Sequence, residues 1–252
     1  MIKDSKSNAE FPLAQKFWEG EEMRCLGAGT RVKKVLVVGV QAMTRLRRQR
    51  PAGRPSPAAR LFAVPVSGVR VYSVAVYVEA ERCSKELGIR ARGGFFENDG
   101  DFCAALLDGA FGKALVFKLL RDITGQQFAE AIDEALAPRA KVTGDSASLQ
   151  QFGQFFASRQ LPKDTQVAFV WPLKGGEAGE LQAEVVLPGE AKDLVTTAPE
   201  LRIPSPGLAR ALFELYLGDS SVVPEGRPAW AAGARELLDY DAVKRDTRKA
   251  GA

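Results

Sequence analysis

Residues 68–78, Gly-Val-Arg-Val-Tyr-Ser-Val-Ala-Val-Tyr-Val, constrain the fold more than any other stretch of this chain. Valine and tyrosine dominate the run, so it reads as a β-strand. Alternation puts Arg70, Tyr72, Val74, Val76 and Val78 on one face and Val69, Val71, Ser73, Ala75 and Tyr77 on the other. Both faces are mostly apolar. A strand of that kind belongs in the middle of a sheet, with other parts of the chain covering each side.

The surrounding pattern gives strands and helices in blocks rather than strict alternation. Residues 32–40 read as a strand, as do 113–121. Residues 101–111 read as a short helix with Cys103, Leu106, Leu107 and Ala110 on its apolar side. Thr124 followed by Gln127 is a capping box, and the helix behind it carries Phe128, Ala131, Ile132, Ala135 and Leu136 on one stripe. Pro138 is expected to end that helix. Residues 146–158 form another amphipathic helix. Residues 166–171 and 181–187 pair as a hairpin across a glycine-rich loop. Residues 206–217 form a helix closed by Gly218, and a short surface helix with a frayed tail follows. This order of elements is α+β.

The chain has 252 residues, 46% of them hydrophobic and 26% charged, enough for one large domain or two small ones. It contains no histidine, which excludes Ser-His-Asp and Cys-His catalysis and imidazole metal sites. Cys25, Cys83 and Cys103 are sparse and odd in number. They read as reduced, space-filling thiols of a reducing compartment, and no metal or cofactor is expected. The polar start, Met-Ile-Lys-Asp-Ser-Lys-Ser-Asn, has no apolar signal region, and no run is long enough to span a membrane. The expectation is a cytoplasmic protein with a disordered segment 1–10, or a plastid protein if a leader precedes this sequence.

Residues 41–65 break the rhythm with six arginines, four prolines and no acid. Two readings stand: a basic patch for an anionic partner, or a disordered insertion between two strands. The absence of interleaved aromatic residues argues against nucleic acid. The formal net charge of the whole chain is +4, so this one segment sets its sign.

Two glycines in Leu26-Gly27-Ala28-Gly29-Thr30-Arg31 invite a dinucleotide reading, which fails: Val32 occupies the third glycine position and a strand follows instead of a helix. Arg31 sits where this glycine-rich turn enters a strand. No acid lies between Glu22 and Glu79, so either a distant carboxylate or an anionic ligand neutralises it.

These motifs together resemble the chalcone isomerase-like family. The resemblance rests on residues 26–33, 71–78, 124–128, 167–171 and 212–218, in the family's order, and covers 11–224. It implies an open-faced β-sandwich, a large antiparallel sheet with helices over one face. Residues 41–65 then look like an insertion in a hairpin loop or a translated intron, and 225–252 like a C-terminal helical tail. In the isomerases the resemblance implies an arginine, a threonine, a tyrosine and an asparagine in the cleft. Here Arg31 matches the arginine, while Tyr72, Phe128 and Ala135 stand at the other three places. Phenylalanine and alanine donate no hydrogen bond to an enolate. The pattern is similar to the non-catalytic, fatty-acid-binding branch, in which Arg31 and Tyr72 would hold a carboxylate. Phe128, Ile132 and Ala135 would then line the tail cleft, and Ser205 would either face the cleft or serve as a helix N-cap. The expected ligand is a fatty acid or another small apolar acid. Residual chalcone cyclisation and an accessory role toward a pathway enzyme, with a protein partner, are the alternatives.

Overall fold

The computed structural model describes residues 1–18, 20–33, 36–39, 62–65, 68–174, 177–190, 194 and 198–250. Most of the expected insertion, 41–61, lies outside the described residues. The chain divides into two compact units, residues 1–31 with 70–252, and residues 32–69. The second unit contains a hairpin in which Leu36–Gly39 pairs antiparallel with Phe62–Pro65, so the last four residues of the segment 41–65 are a strand.

The first unit is built on a seven-stranded sheet. Its strands are β1 (Ala14–Lys16), β2 (Glu22–Lys33), β3 (Val69–Glu79), β4 (Lys113–Leu119), β5 (Gln166–Trp171), β6 (Leu181–Val186) and β7 (Leu201–Ile203). Their order across the sheet follows the chain from β1 to β7. These strands pair antiparallel, with Val76 opposite Leu115 and Phe169 opposite both Leu115 and Ala183.

Among the described residues six helices supply the second layer: α1 (Ala80–Arg92), α2 (Asp99–Asp108), α3 (Gly125–Thr143), α4 (Ser146–Ala157), α5 (Pro206–Leu217) and α6 (Arg227–Ala250). They pack on the face that carries Val74, Val76, Val78, Phe117, Phe169 and Ala183. The opposite face, with Met23, Cys25, Ala75, Tyr77, Val116 and Ala168, is covered by Ala9, Phe11 and Phe17. Both covers demanded by the two apolar faces of β3 are therefore present. The fold is α+β, an antiparallel sheet under a helical layer, as expected.

Four local expectations are corrected. Residues 1–10 are ordered: Ile2–Lys3 pairs with Glu10–Phe11, and Asp4 is buried among hydroxyl groups. Residues 26–31 are no turn but the middle of β2. A Cβ on Gly27 would lie 2.9 Å from the Ala229 backbone and one on Gly29 2.6 Å from the Gly226 Cα, so the glycines let the start of α6 lie flush on the strand. The helix after residue 224 is no surface helix, because Trp230, Ala231, Ala234 and Leu237 of α6 (Arg227–Ala250) enter the core. Finally, α3 has its Thr124–Gln127 capping box but continues through Pro138 to Gly144, whose φ of 79° ends it. Buried Ala140 and the Arg139–Glu214 ion pair, at 3.2 Å, hold the turns beyond the proline.

Candidate functional site

Neighbouring residues on a strand point to opposite faces, and this rule decides what β2 and β3 present to the helical layer. On β3, Tyr72 joins the helix-covered core, whereas Ser73 belongs to the other side. On β2, Gly27 and Gly29 meet the 226–229 turn, and Arg31 continues that row. Its Nη1 donates to the carbonyl of Val222, just beyond α5, at 2.5 Å. The loop after α5 thus holds the guanidinium beside the helical layer.

The Tyr72 hydroxyl is 3.0 Å from that of Tyr216 on α5. Burial raises both phenol pKa values. The Tyr216 bond and the positive charge of Arg31 partly offset this for Tyr72, while the neighbouring Tyr72 pushes Tyr216 further up and Arg31 again opposes. Both phenols are therefore neutral donors at physiological pH. One donates to the other, which leaves one phenolic O–H unshared. Arg31 has one of its five N–H groups on Val222, and among the described residues no carboxylate is within ion-pair distance of it. Of the two partners open to Arg31 in the sequence, the described carboxylates supply none.

Below this polar corner lies an aromatic cluster. The Phe117 ring meets Tyr72 at 5.1 Å, Tyr216 at 5.4 Å, Phe169 at 5.4 Å and Phe128 at 6.1 Å between centroids, all edge-on. Phe128 is thereby linked to the Arg31–Tyr72 corner, and it packs further against Phe156. Ile132 is buried one turn along α3. Ala135 is only half-buried, its carbonyl accepting from Arg139 at 3.3 Å, and Ala131 is exposed, off the expected stripe.

Ser205 is not brought to this corner. Its hydroxyl accepts from the Leu208 amide at 3.0 Å and donates to Asp145 at 2.5 Å, which makes it the N-cap of α5. Eleven residues of helix, about 16 Å of rise, separate it from Tyr216. Tyr216 is the residue that sequence reasoning missed. Its only signal was its place in the 212–218 motif, where a buried tyrosine needs a partner for its hydroxyl.

The remaining chemistry lies elsewhere. Among the described residues no three His, Cys, Asp or Glu side chains gather as a metal site. All three cysteines are buried, and burial pushes the Cys25 thiol up to about 11. A groove of about 400 Å³ lies between α1 and α2, lined by Arg90, Phe95, Phe96, Asp101, Ala104 and Ala105, and it includes none of the residues above. No described helix is long and apolar enough to cross a membrane.

No family model matches the chain. Over 179 residues it is 22% identical to a chalcone–flavanone isomerase of Dianthus caryophyllus, a stretch covering 68% of this chain and 77% of that protein. Its structure superposes on the crystal structure of the Arabidopsis thaliana fatty-acid binding protein AtFAP1 with a TM-score of 0.63 and 16% identity. That match covers 94% of this chain and 98% of the other.

Proposed function

We propose that this chain, a chalcone isomerase-like protein, binds a fatty acid, with the carboxylate held by Arg31 and Tyr72 and the alkyl tail between α3 and the sheet. One observation carries the reading. A guanidinium with no described carboxylate partner acts by its charge on a neutral phenol pair at the edge of a buried aromatic cluster. A planar guanidinium fork and a phenolic donor suit the two oxygens of a carboxylate. Phe117 and Phe128 meet edge-on at 6.1 Å between centroids and Ile132 belongs to the same buried cluster, so tail entry requires these side chains to change rotamer.

Magnitudes favour a lipid over a small acid. Each buried methylene contributes about 0.8 kcal/mol, whereas a charge-assisted hydrogen bond contributes about 1.5–3 kcal/mol, against an association cost of roughly 4–15 kcal/mol. Tail length therefore sets affinity, and Arg31 sets the choice of head group.

The sequence likeness to an isomerase favours a second reading, cyclisation of a chalcone. Two of the donors that the family resemblance implies for that reaction are absent, because Phe128 and Ala135 stand in their places.

Native mass spectrometry of the purified protein, with denaturing extraction of anything bound, tests the proposal. A stoichiometric fatty acid that is lost in Arg31→Gln is the expected result. A clean apo mass unchanged by added fatty acids would overturn it. Turnover of a chalcone would then support the isomerase reading, and an empty cleft with a stable protein partner would support an accessory role.

A further inference from the structure

Behind the Arg31–Tyr72 corner, on the opposite face of the sheet, a single carboxylate ties together the two strands that carry the pair. Asp4 is 2% exposed, Thr30 3% and Ser73 0%. Asp4 Oδ2 accepts from Ser73 Oγ at 2.6 Å, from Ser7 Oγ at 2.7 Å and from Thr30 Oγ1, while Oδ1 accepts from the Lys6 amide at 3.1 Å. The Thr30 and Ser73 hydroxyls are themselves 3.3 Å apart, which makes them neighbours across β2 and β3. Thr30 immediately precedes Arg31, and Ser73 immediately follows Tyr72. The backbone of Asp4 is pinned in turn, its amide donating to Ala9 and its carbonyl accepting from Asn8, both at 2.9 Å.

Since successive strand residues face opposite ways, a link between Thr30 and Ser73 on one face fixes the relative placement of Arg31 and Tyr72 on the other. A hydrophobic contact at this point would hold the strands together with little directional preference. Three hydroxyls converging on one oxygen fix both distance and register. We propose that Asp4 is a positioning residue for ligand head-group recognition, acting through Thr30 and Ser73 on the Arg31–Tyr72 pair; this rests on the carboxylate-binding reading above. The N-terminal segment is then part of the binding apparatus although it lies on the far side of the sheet.

The readout is discrimination between palmitate and hexadecanol, measured by titration calorimetry on the full chain. A general loss of fold quality weakens both, whereas a displaced Arg31–Tyr72 pair weakens the acid selectively. Asp4→Ala is expected to lower palmitate affinity about tenfold and hexadecanol affinity by less than about twofold. Asp4→Asn, which keeps an oxygen acceptor for the hydroxyls, should restore most of the preference. Thr30→Val, which keeps the side-chain shape and removes one hydroxyl, should shift the ratio in the same direction by roughly threefold. It decides the matter if Asp4→Ala does not fold.

Arg31→Gln separates the two levels of the reading. If Arg31→Gln loses acid preference while Asp4→Ala and Thr30→Val keep it, or weaken both ligands equally, the positioning role is overturned and carboxylate binding stands. If Arg31→Gln itself leaves the ratio unchanged, the carboxylate assignment fails and the positioning role fails with it.

Discussion

Burial alone would push the Asp4 carboxyl up. The hydrogen bonds from Ser73, Thr30, Ser7 and the Lys6 amide outweigh it and hold the pKa below the ordinary aspartate value of 3.8. A carboxylate whose folded pKa is depressed stabilises the fold fully above its unfolded pKa, and the contribution disappears as pH falls through the folded value. The stability difference between wild type and Asp4→Asn, measured by urea unfolding, should therefore be constant at and above about pH 5. It should shrink steadily on acidification below 3.8. A difference that does not change with pH would show that the carboxylate charge contributes nothing. None of this could be read from the sequence, where Asp4 sits in a polar, glycine-free start that resembles a solvated end. Its partners Thr30 and Ser73 are 26 and 69 residues away. The same separation hid Tyr216, 144 residues from Tyr72. Arg31 and Tyr72 stand out in the sequence because each lies within a motif, and a motif is local.

At the scale of elements, legibility followed the size of the side chains that make the buried stripe. The helices α3, α4 and α5 announce themselves through Phe128, Ile132, Phe152, Phe156, Leu212 and Phe213, with caps at Thr124 and Ser205. Helix α1 went unseen because it buries Cys83, Ser84, Leu87 and Gly88, a stripe of mostly small residues inside a charged segment. Helix α6 was underestimated for a related reason: Pro224, Pro228 and Gly233 punctuate its start like a loop, and much of its buried side is alanine. Small residues suit α6 because it packs almost backbone to backbone on β2, where Gly27 and Gly29 leave no room for a Cβ. Gly29→Ala should accordingly destabilise the protein by about 1–3 kcal/mol, since the clash is with main chain that no rotamer change relieves. Gly153→Ala on α4 is the matched control. Nothing lies within 4 Å of a Cβ there, and helix propensity alone should stabilise by about 0.5–1 kcal/mol. Denaturant midpoints that move the same way in both variants would refute the close packing of α6 on β2.

For the whole molecule, the informative feature is that sheet order follows chain order from β1 to β7. In such a sheet each connection joins neighbours, so extra length in one connection leaves the order of the others unaffected. The α+β class was legible because the strand and helix blocks are separated in sequence, and the long connection between β2 and β3 because its composition is foreign to its surroundings. Residues 32–69 form their own compact unit, and six arginines within it carry the chain from −2 to the formal charge of +4. The hairpin Leu36–Gly39 with Phe62–Pro65 supplies a natural place to shorten it. Excising residues 40–61 and joining Gly39 to Phe62 through an Asn-Gly turn removes chain whose closure entropy opposes folding by about 0.6 kcal/mol per doubling of loop length. The melting temperature should be unchanged or raised by up to about 4 °C. The isoelectric point should fall to the acidic side, and palmitate affinity should be retained, because Arg31, Tyr72 and Tyr216 all belong to the other unit. Calorimetry and the same palmitate titration check both outcomes. A shortened chain that is insoluble, or that folds and no longer binds, would mean that the arginine-rich connection is integral to the fold or to the site.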